Sequence, residues 1–116
     1  MDNPKTETGI MRAIMLALSE RGHFVARGNV GLFFTKTGEP VRTGLPVGFS
    51  DLFGHRGGDA VAWYIEVKKP GGRIRKEQQQ FIDAMLSRGA IAGIARSVDE
   101  AIAIVEHGFS AAQTPR

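Results

Sequence analysis

A strict alternation between residues 60 and 69 constrains this chain more than any other feature. From Ala60 to Lys69 the odd positions Val61, Trp63, Ile65 and Val67 are large and apolar, while the even positions end in Tyr64, Glu66 and Lys68. Side chains of a strand alternate between its two faces, so one face packs into a core and the other presents a carboxylate beside an amine. Gly54-His55-Arg56-Gly57-Gly58-Asp59 ahead of the strand reads as a hairpin loop, and Pro70-Gly71-Gly72 breaks it. Before the loop comes a short apolar segment, Phe49 to Phe53, carrying Ser50-Asp51. If that arm pairs antiparallel with the strand, Asp51 and Glu66 converge at one end of the sheet.

The flanking segments predict the rest of an α/β domain. Asn3-Pro4 is a helix start and Gly22 its stop, with Ile10, Met11, Ile14 and Leu18 on one apolar face that Glu7 shares. Two short strands are expected between His23 and Thr35, meeting at Gly28-Asn29. A turn follows at Thr37-Gly38-Glu39-Pro40, then irregular chain to Gly48. Lys76 to Arg88 reads as an amphipathic helix with Phe81, Ile82, Met85 and Leu86 inward and Gln78 on the same face. A small apolar strand, Ala90 to Ala95, leads to a helix capped by Ser97 and ending at Gly108. The expectation is one domain over residues 1–108, a mixed β-sheet flanked by helices, with 109–116 as a flexible tail.

Composition narrows the function classes. The 116 residues contain no cysteine, which excludes disulfides, thiolate zinc sites, iron–sulfur clusters and a cysteine nucleophile. The N-terminus lacks the order of a signal peptide, and the apolar stretch from Ile10 to Leu18 is interrupted by Arg12 and too short to span a bilayer. A soluble, cytoplasmic protein with no membrane partner is expected.

Two carboxylates in a small volume raise each other's pKa, so such a group is costly to assemble unless a cation joins it. Oxygen ligands suit Mg²⁺ or Mn²⁺, and the three histidines, His23, His55 and His107, are too scattered to suggest zinc. A metal so held can activate water and withdraw charge from a phosphoryl oxygen, with a lysine stabilising the charge that develops. That chemistry is phosphodiester hydrolysis. Taken alone, Glu66-Val67-Lys68 is more economically a solvated strand face with a surface ion pair. Asp51, the hairpin loop, Glu7 and Gln78 together shift the balance towards a site. Glu7 has a plainer reading at a helix N-terminus, Gln78 as a stem packed beside Phe81, and Tyr64 as a half-buried strand aromatic.

Gly48-Phe49-Ser50-Asp51-Leu52, then Tyr64-Ile65-Glu66-Val67-Lys68, then a Gly/Arg-rich turn into Lys76-Glu77-Gln78-Gln79-Gln80-Phe81, resembles the virus-type replication-repair nuclease (VRR-NUC) domain of the PD-(D/E)XK nuclease superfamily. The resemblance covers most of the chain and implies a single-domain restriction-endonuclease-like fold. It further implies that Asp51, Glu66 and the Val67 backbone carbonyl ligate Mg²⁺ or Mn²⁺ and that Lys68 is the catalytic lysine. Glu7 matches an acidic residue of the first helix that reaches the metal directly or through water. Gln78 matches a glutamine lining the site. Serine rather than proline precedes Asp51, a structural departure rather than a chemical one. Branched DNA such as four-way junctions, a homodimer and a phage or prophage origin also follow from the resemblance. An apolar segment at Leu32-Phe33-Phe34, either dimer surface or core, is the nearest sequence hint of a dimer.

The net charge of +3 says little, but its distribution says more. Lys68, Lys69, Arg73, Arg75 and Lys76 follow the motif without an intervening acid, and Arg27, Arg42 and Arg56 sit where they could share a rim. Gly71-Gly72 would let backbone approach a phosphate. Asn29 is either a further DNA contact or a turn residue. A chain this short has no element to spare for reading several bases, so selection by DNA form is expected over selection by sequence. The rival readings are a sequence-specific restriction-like enzyme, a DNA-binding domain without turnover, and an RNA nuclease.

Overall fold

The computed structural model describes residues 5–108. Asn3-Pro4 and the 109–116 tail lie outside the described residues. The elements in chain order are α1 (Glu7–Glu20), β1 (Phe24–Arg27), β2 (Leu32–Phe34), β3 (Pro40–Arg42), β4 (Leu52–His55), β5 (Ala62–Val67), α2 (Lys76–Ser87), β6 (Ile91–Ala95) and α3 (Val98–His107). Four strands form one sheet in the order β1-β4-β5-β6, antiparallel except for the β5-β6 pair. The parallel pair needs a crossover, and α2 provides it. This is the mixed-sheet α/β architecture expected of a single-domain PD-(D/E)XK fold.

The alternation in β5 sorts the molecule into layers. Trp63, Ile65 and Val67 are fully buried with Leu52, Ile91 and Ala95, and α1 and α3 cover them with Ile10, Ile14, Leu18, Ala101 and Val105. On the opposite face Tyr64 joins Phe49, Phe53 and Phe81 in a ring cluster, with Phe49 and Phe81 centroids 4.7 Å apart and Tyr64 and Phe81 5.6 Å apart. These aromatic contacts seat α2 on the face that also carries Glu66.

Several local expectations are corrected. Helix α1 starts at Glu7, after Thr6, whose hydroxyl accepts the Gly9 amide at 3.0 Å. A threonine capping the first turn thus prevails over the earlier Asn3-Pro4 signal. The two strands between His23 and Thr35 both form, but in different sheets: β1 pairs with β4, and β2 pairs with β3. Strand β3 lies in the stretch read as irregular, because three residues opening on proline carry no alternation to reveal them. Leu32, Phe33 and Phe34 are all exposed, so this segment is surface and not core. Among the described residues no helix is long and apolar enough to cross a membrane.

Candidate active site

The β4-β5 register aligns Leu52 with Ile65, and one further step along each strand sets Asp51 opposite Glu66. Two local features deliver Asp51 there. Ser50 is buried and its hydroxyl donates to the Leu52 carbonyl at 2.8 Å, fixing the bend that enters β4. Gly28 donates its amide to the Asp51 carbonyl at 2.8 Å, and a Cβ on Gly28 would stand 2.1 Å from the Ser50 carbonyl oxygen. The Asp51 side chain is held in turn, its Oδ2 accepting the Val67 amide at 2.8 Å.

Glu66 is only 2% exposed. Its Oε1 accepts from Gln78 Nε2 at 3.0 Å, while Gln78 Oε1 accepts the Arg75 amide at 2.9 Å. Gln78 therefore spends both ends of its amide, one on the start of α2 and one on the acid. Arg75, the residue capping α2, has no side-chain acceptor to offer the helix amides, so the glutamine's reverse bond is what secures this helix start. Glu66 Oε2 is buried without a hydrogen-bond partner among the described residues. Asp51 can satisfy it only if the two acids share a proton. Burial first, then that contact and the charge of Asp51, push the Glu66 carboxyl up to about 9; Lys68 pulls it down and Glu7 adds a smaller upward push.

Asp51, Glu66 and Gln78 line a cavity of about 570 Å³ together with Arg27, Asn29 and Arg75. Lys68, one residue past β5, is 7% exposed and is tied to β6 by its amide, which donates to the Ala95 carbonyl at 3.1 Å. Val67 lies between these two, its side chain in the core. Lys69, Arg73 and Lys76 are exposed on the adjoining loop and first turn of α2, and none of them lines the cavity.

Two sequence expectations change here. Glu7 is exposed and not buried on the helix face, because it opens α1 ahead of the first buried residues, Gly9 and Ile10. It meets Asp51 and Arg27 across a smaller cavity of about 190 Å³. Among the described residues no three His, Cys, Asp or Glu side chains form a metal-holding group, so Glu7 is not a third close carboxylate beside Asp51 and Glu66. Arg56 leaves the proposed rim: its guanidinium binds Asp59 at 2.6 Å and the carbonyls of Val105 and Gly108 at 3.1 and 3.3 Å.

Sequence reasoning missed three supports. Arg96 donates from Nη1 to the carbonyls of Lys69 and Gly72 at 2.9 and 2.8 Å, pinning the Gly71-Gly72 turn. Nothing in its local sequence signals this. Gly48 has φ +88°, and a Cβ there would lie 2.3 Å from the Glu77 carbonyl oxygen, so the loop before Asp51 can press against α2 only through glycine. Val47 and Phe33 add apolar surface to the cavity lining.

The family model described as VRR-NUC domain matches residues 40–99, more than half of the chain. That span holds Asp51, Glu66, Val67, Lys68 and Gln78 and excludes Glu7, Arg27 and Asn29. No curated protein matches the chain.

Proposed function

The chain belongs to the VRR-NUC domain family, whose members are nucleases acting on DNA, and from that premise we propose a divalent-metal-dependent endodeoxyribonuclease selective for branched DNA. The observation that carries this reading is the orphaned Glu66 Oε2, buried against a second carboxylate in a cavity with Arg27 and Arg75 on its wall. Two neighbouring carboxyl groups with an unpartnered oxygen make a poor structural pair but a ready pair of oxygen ligands. The donor set, carboxylate oxygens with no thiol or imidazole, fits Mg²⁺ or Mn²⁺.

In this reading Asp51 and Glu66 hold the ion, with the Val67 carbonyl as a third oxygen. When bound, the ion supplies charge neutralisation at the phosphate and activation of the attacking water. Gln78 fixes the rotamer of Glu66 through a donated hydrogen bond, as outer partners of metal ligands do. Lys68 lies close enough for its charge to act on Glu66, and it stabilises negative charge developing on the scissile phosphate. Glu7 acts from the rim through water. Arg27, Asn29 and Arg75 hold the strand at the cavity, and Lys69, Arg73 and Lys76 extend the phosphate track beyond it. Among the described residues only the short β2-β3 hairpin lies outside the four-stranded sheet and its three helices, which favours recognition of DNA form over reading of base edges. A homodimer, joined through the exposed Leu32 and Phe34 face, would place two sites on one junction.

The test is cleavage of labelled single-stranded, duplex, flap and four-way-junction DNA with Mg²⁺, Mn²⁺ or EDTA, beside Asp51→Ala and Lys68→Ala. Metal-dependent cutting of branched DNA that both substitutions abolish is expected. Cutting in EDTA, or full activity in either variant, overturns the mechanism, and binding without cutting under every metal makes the chain a DNA-binding domain.

A further inference from the structure

Phe33 is a large aromatic side chain left 51% exposed on the cavity that also holds Asp51 and Glu66, and the Phe49, Phe53, Tyr64 and Phe81 ring cluster does not include it. In the β2-β3 hairpin Phe33 pairs with Val41, so these two share one face, whereas Leu32, Phe34, Pro40 and Arg42 lie on the other. Phe33 belongs to the cavity lining that holds Asp51 and Glu66; Leu32, Phe34 and Val41 do not. The cavity lining thus combines the apolar side chains of Phe33, Val47 and Phe49 with the cations Arg27 and Arg75 and the acids Asp51 and Glu66.

A ligand matching this mixed lining is amphiphilic, with a flat apolar face and an anionic group. A nucleotide has that form. We propose that Phe33 stacks on an unpaired nucleobase next to the scissile phosphate, making the chain select DNA with an unpaired strand at the cut. This inference rests on the reading of the cavity as the DNA cleavage site. A base inside a duplex has both faces covered by its neighbours, so an aromatic side chain on the cavity wall can reach only a base that has left the stack. The volume of about 570 Å³ agrees, since it lies in the range of sites that take one small ligand and is far too small for a duplex. Stacking also tolerates any base, in keeping with selection by form.

The test uses single-stranded and flap oligonucleotides with 2-aminopurine placed in turn along the unpaired strand. Binding is read by fluorescence in EDTA so that the strand stays intact, and cleavage is read separately with Mn²⁺. Wild type and Phe33→Trp are expected to quench the probe at one position. Phe33→Ala and Phe33→Leu lose the quenching, and their cleavage of flap DNA falls by about 5- to 150-fold relative to fully paired duplex, the loss set by one stacked base. Phe24→Ala, which removes a comparably exposed ring that stacks on His55 and does not line the cavity, leaves both signals unchanged. Retained quenching and flap preference in Phe33→Leu would overturn the proposal by showing that apolar bulk suffices. So would an equal loss on every substrate accompanied by altered sedimentation of Phe33→Ala, which would place a second copy of the chain on this side chain. Quenching needs no turnover, so a wild type that never cuts would remove the nuclease reading while the stacking result is still decided by fluorescence.

Discussion

Glu66 and Glu106 are both glutamates with a cationic residue nearby, and the fold treats them in opposite ways. Glu106 accepts from Arg21 Nε and Nη2 at 2.6 Å and pairs with His23 Nε2 at 2.9 Å. These hydrogen bonds and charges hold its carboxyl near 2. Glu66 has an amide donor on one oxygen and no hydrogen-bond partner on the other among the described residues, and burial beside Asp51 pushes its carboxyl up to about 9. The chain has arginines to spare, yet Arg21 closes α1 onto α3 and Arg56 ties the hairpin loop to the end of α3, while Arg27 and Arg75 remain at the cavity wall. A carboxylate already neutralised by arginine has little to offer a metal ion. The difference teaches that a paired acid serves the fold, while a buried acid left without a partner is a candidate for chemistry.

The largest effect expected from this contrast is on cleavage. Glu66→Gln or Asp51→Asn should lower the rate by at least ~10²- to 10³-fold, the scale for removing a group that stabilises charge in the reacting state. Glu106→Gln should leave it unchanged, as gel assays of DNA cleavage would show. Equal losses in Glu66→Gln and Glu106→Gln would erase the contrast. Next in size is Gln78→Ala, expected to cost about 10- to 100-fold in activity or metal affinity while leaving the fold intact by circular dichroism. Activity in Gln78→Glu should not recover, because a second acid would take the place of the amide donor.

The two glutamates should also oppose each other in pH dependence. Glu66 binds its proton more tightly folded than unfolded, so in EDTA its contribution lowers stability as pH rises from the ordinary 4.5 towards about 9. Melting of wild type and Glu66→Gln should therefore diverge over that window, with the variant relatively more stable at the alkaline end. The Glu106 contribution is fully present above 4.5 and is lost as pH falls towards about 2. Glu106→Gln should flatten only that acid limb. The smallest effect is on stability at neutral pH: Arg21→Ala should move the midpoint of chemical denaturation only slightly, since Arg21 is half exposed and such pairs are weak.

Much of the site was legible because it is written in short-range patterns. A period of two placed Glu66 on the face opposite the core, a glycine-rich loop turned Asp51 back towards it, and helical spacing put Gln78 inward. Glu7 was misjudged as buried because a residue on the apolar stripe of a helix is covered only if the helix continues before it, and α1 does not. Arg56 was misplaced because its partners, the Val105 and Gly108 carbonyls, lie some fifty residues away and leave no local trace. Arg96 went unseen for the same reason. The β2-β3 hairpin was missed as a unit because its exposed side chains follow no burial rhythm, and there a sequence offers only apolar residues without saying where they face.

The central claim is that Asp51 and Glu66 are held ready for a divalent cation, and calorimetric titration of Mn²⁺ into metal-free protein tests it most directly. At pH 7.5, in buffers differing in ionisation enthalpy, wild type and Glu106→Gln should bind the ion with release of protons, whereas Asp51→Asn and Glu66→Gln should bind it far more weakly and release none. Undiminished Mn²⁺ binding by Glu66→Gln would contradict the account.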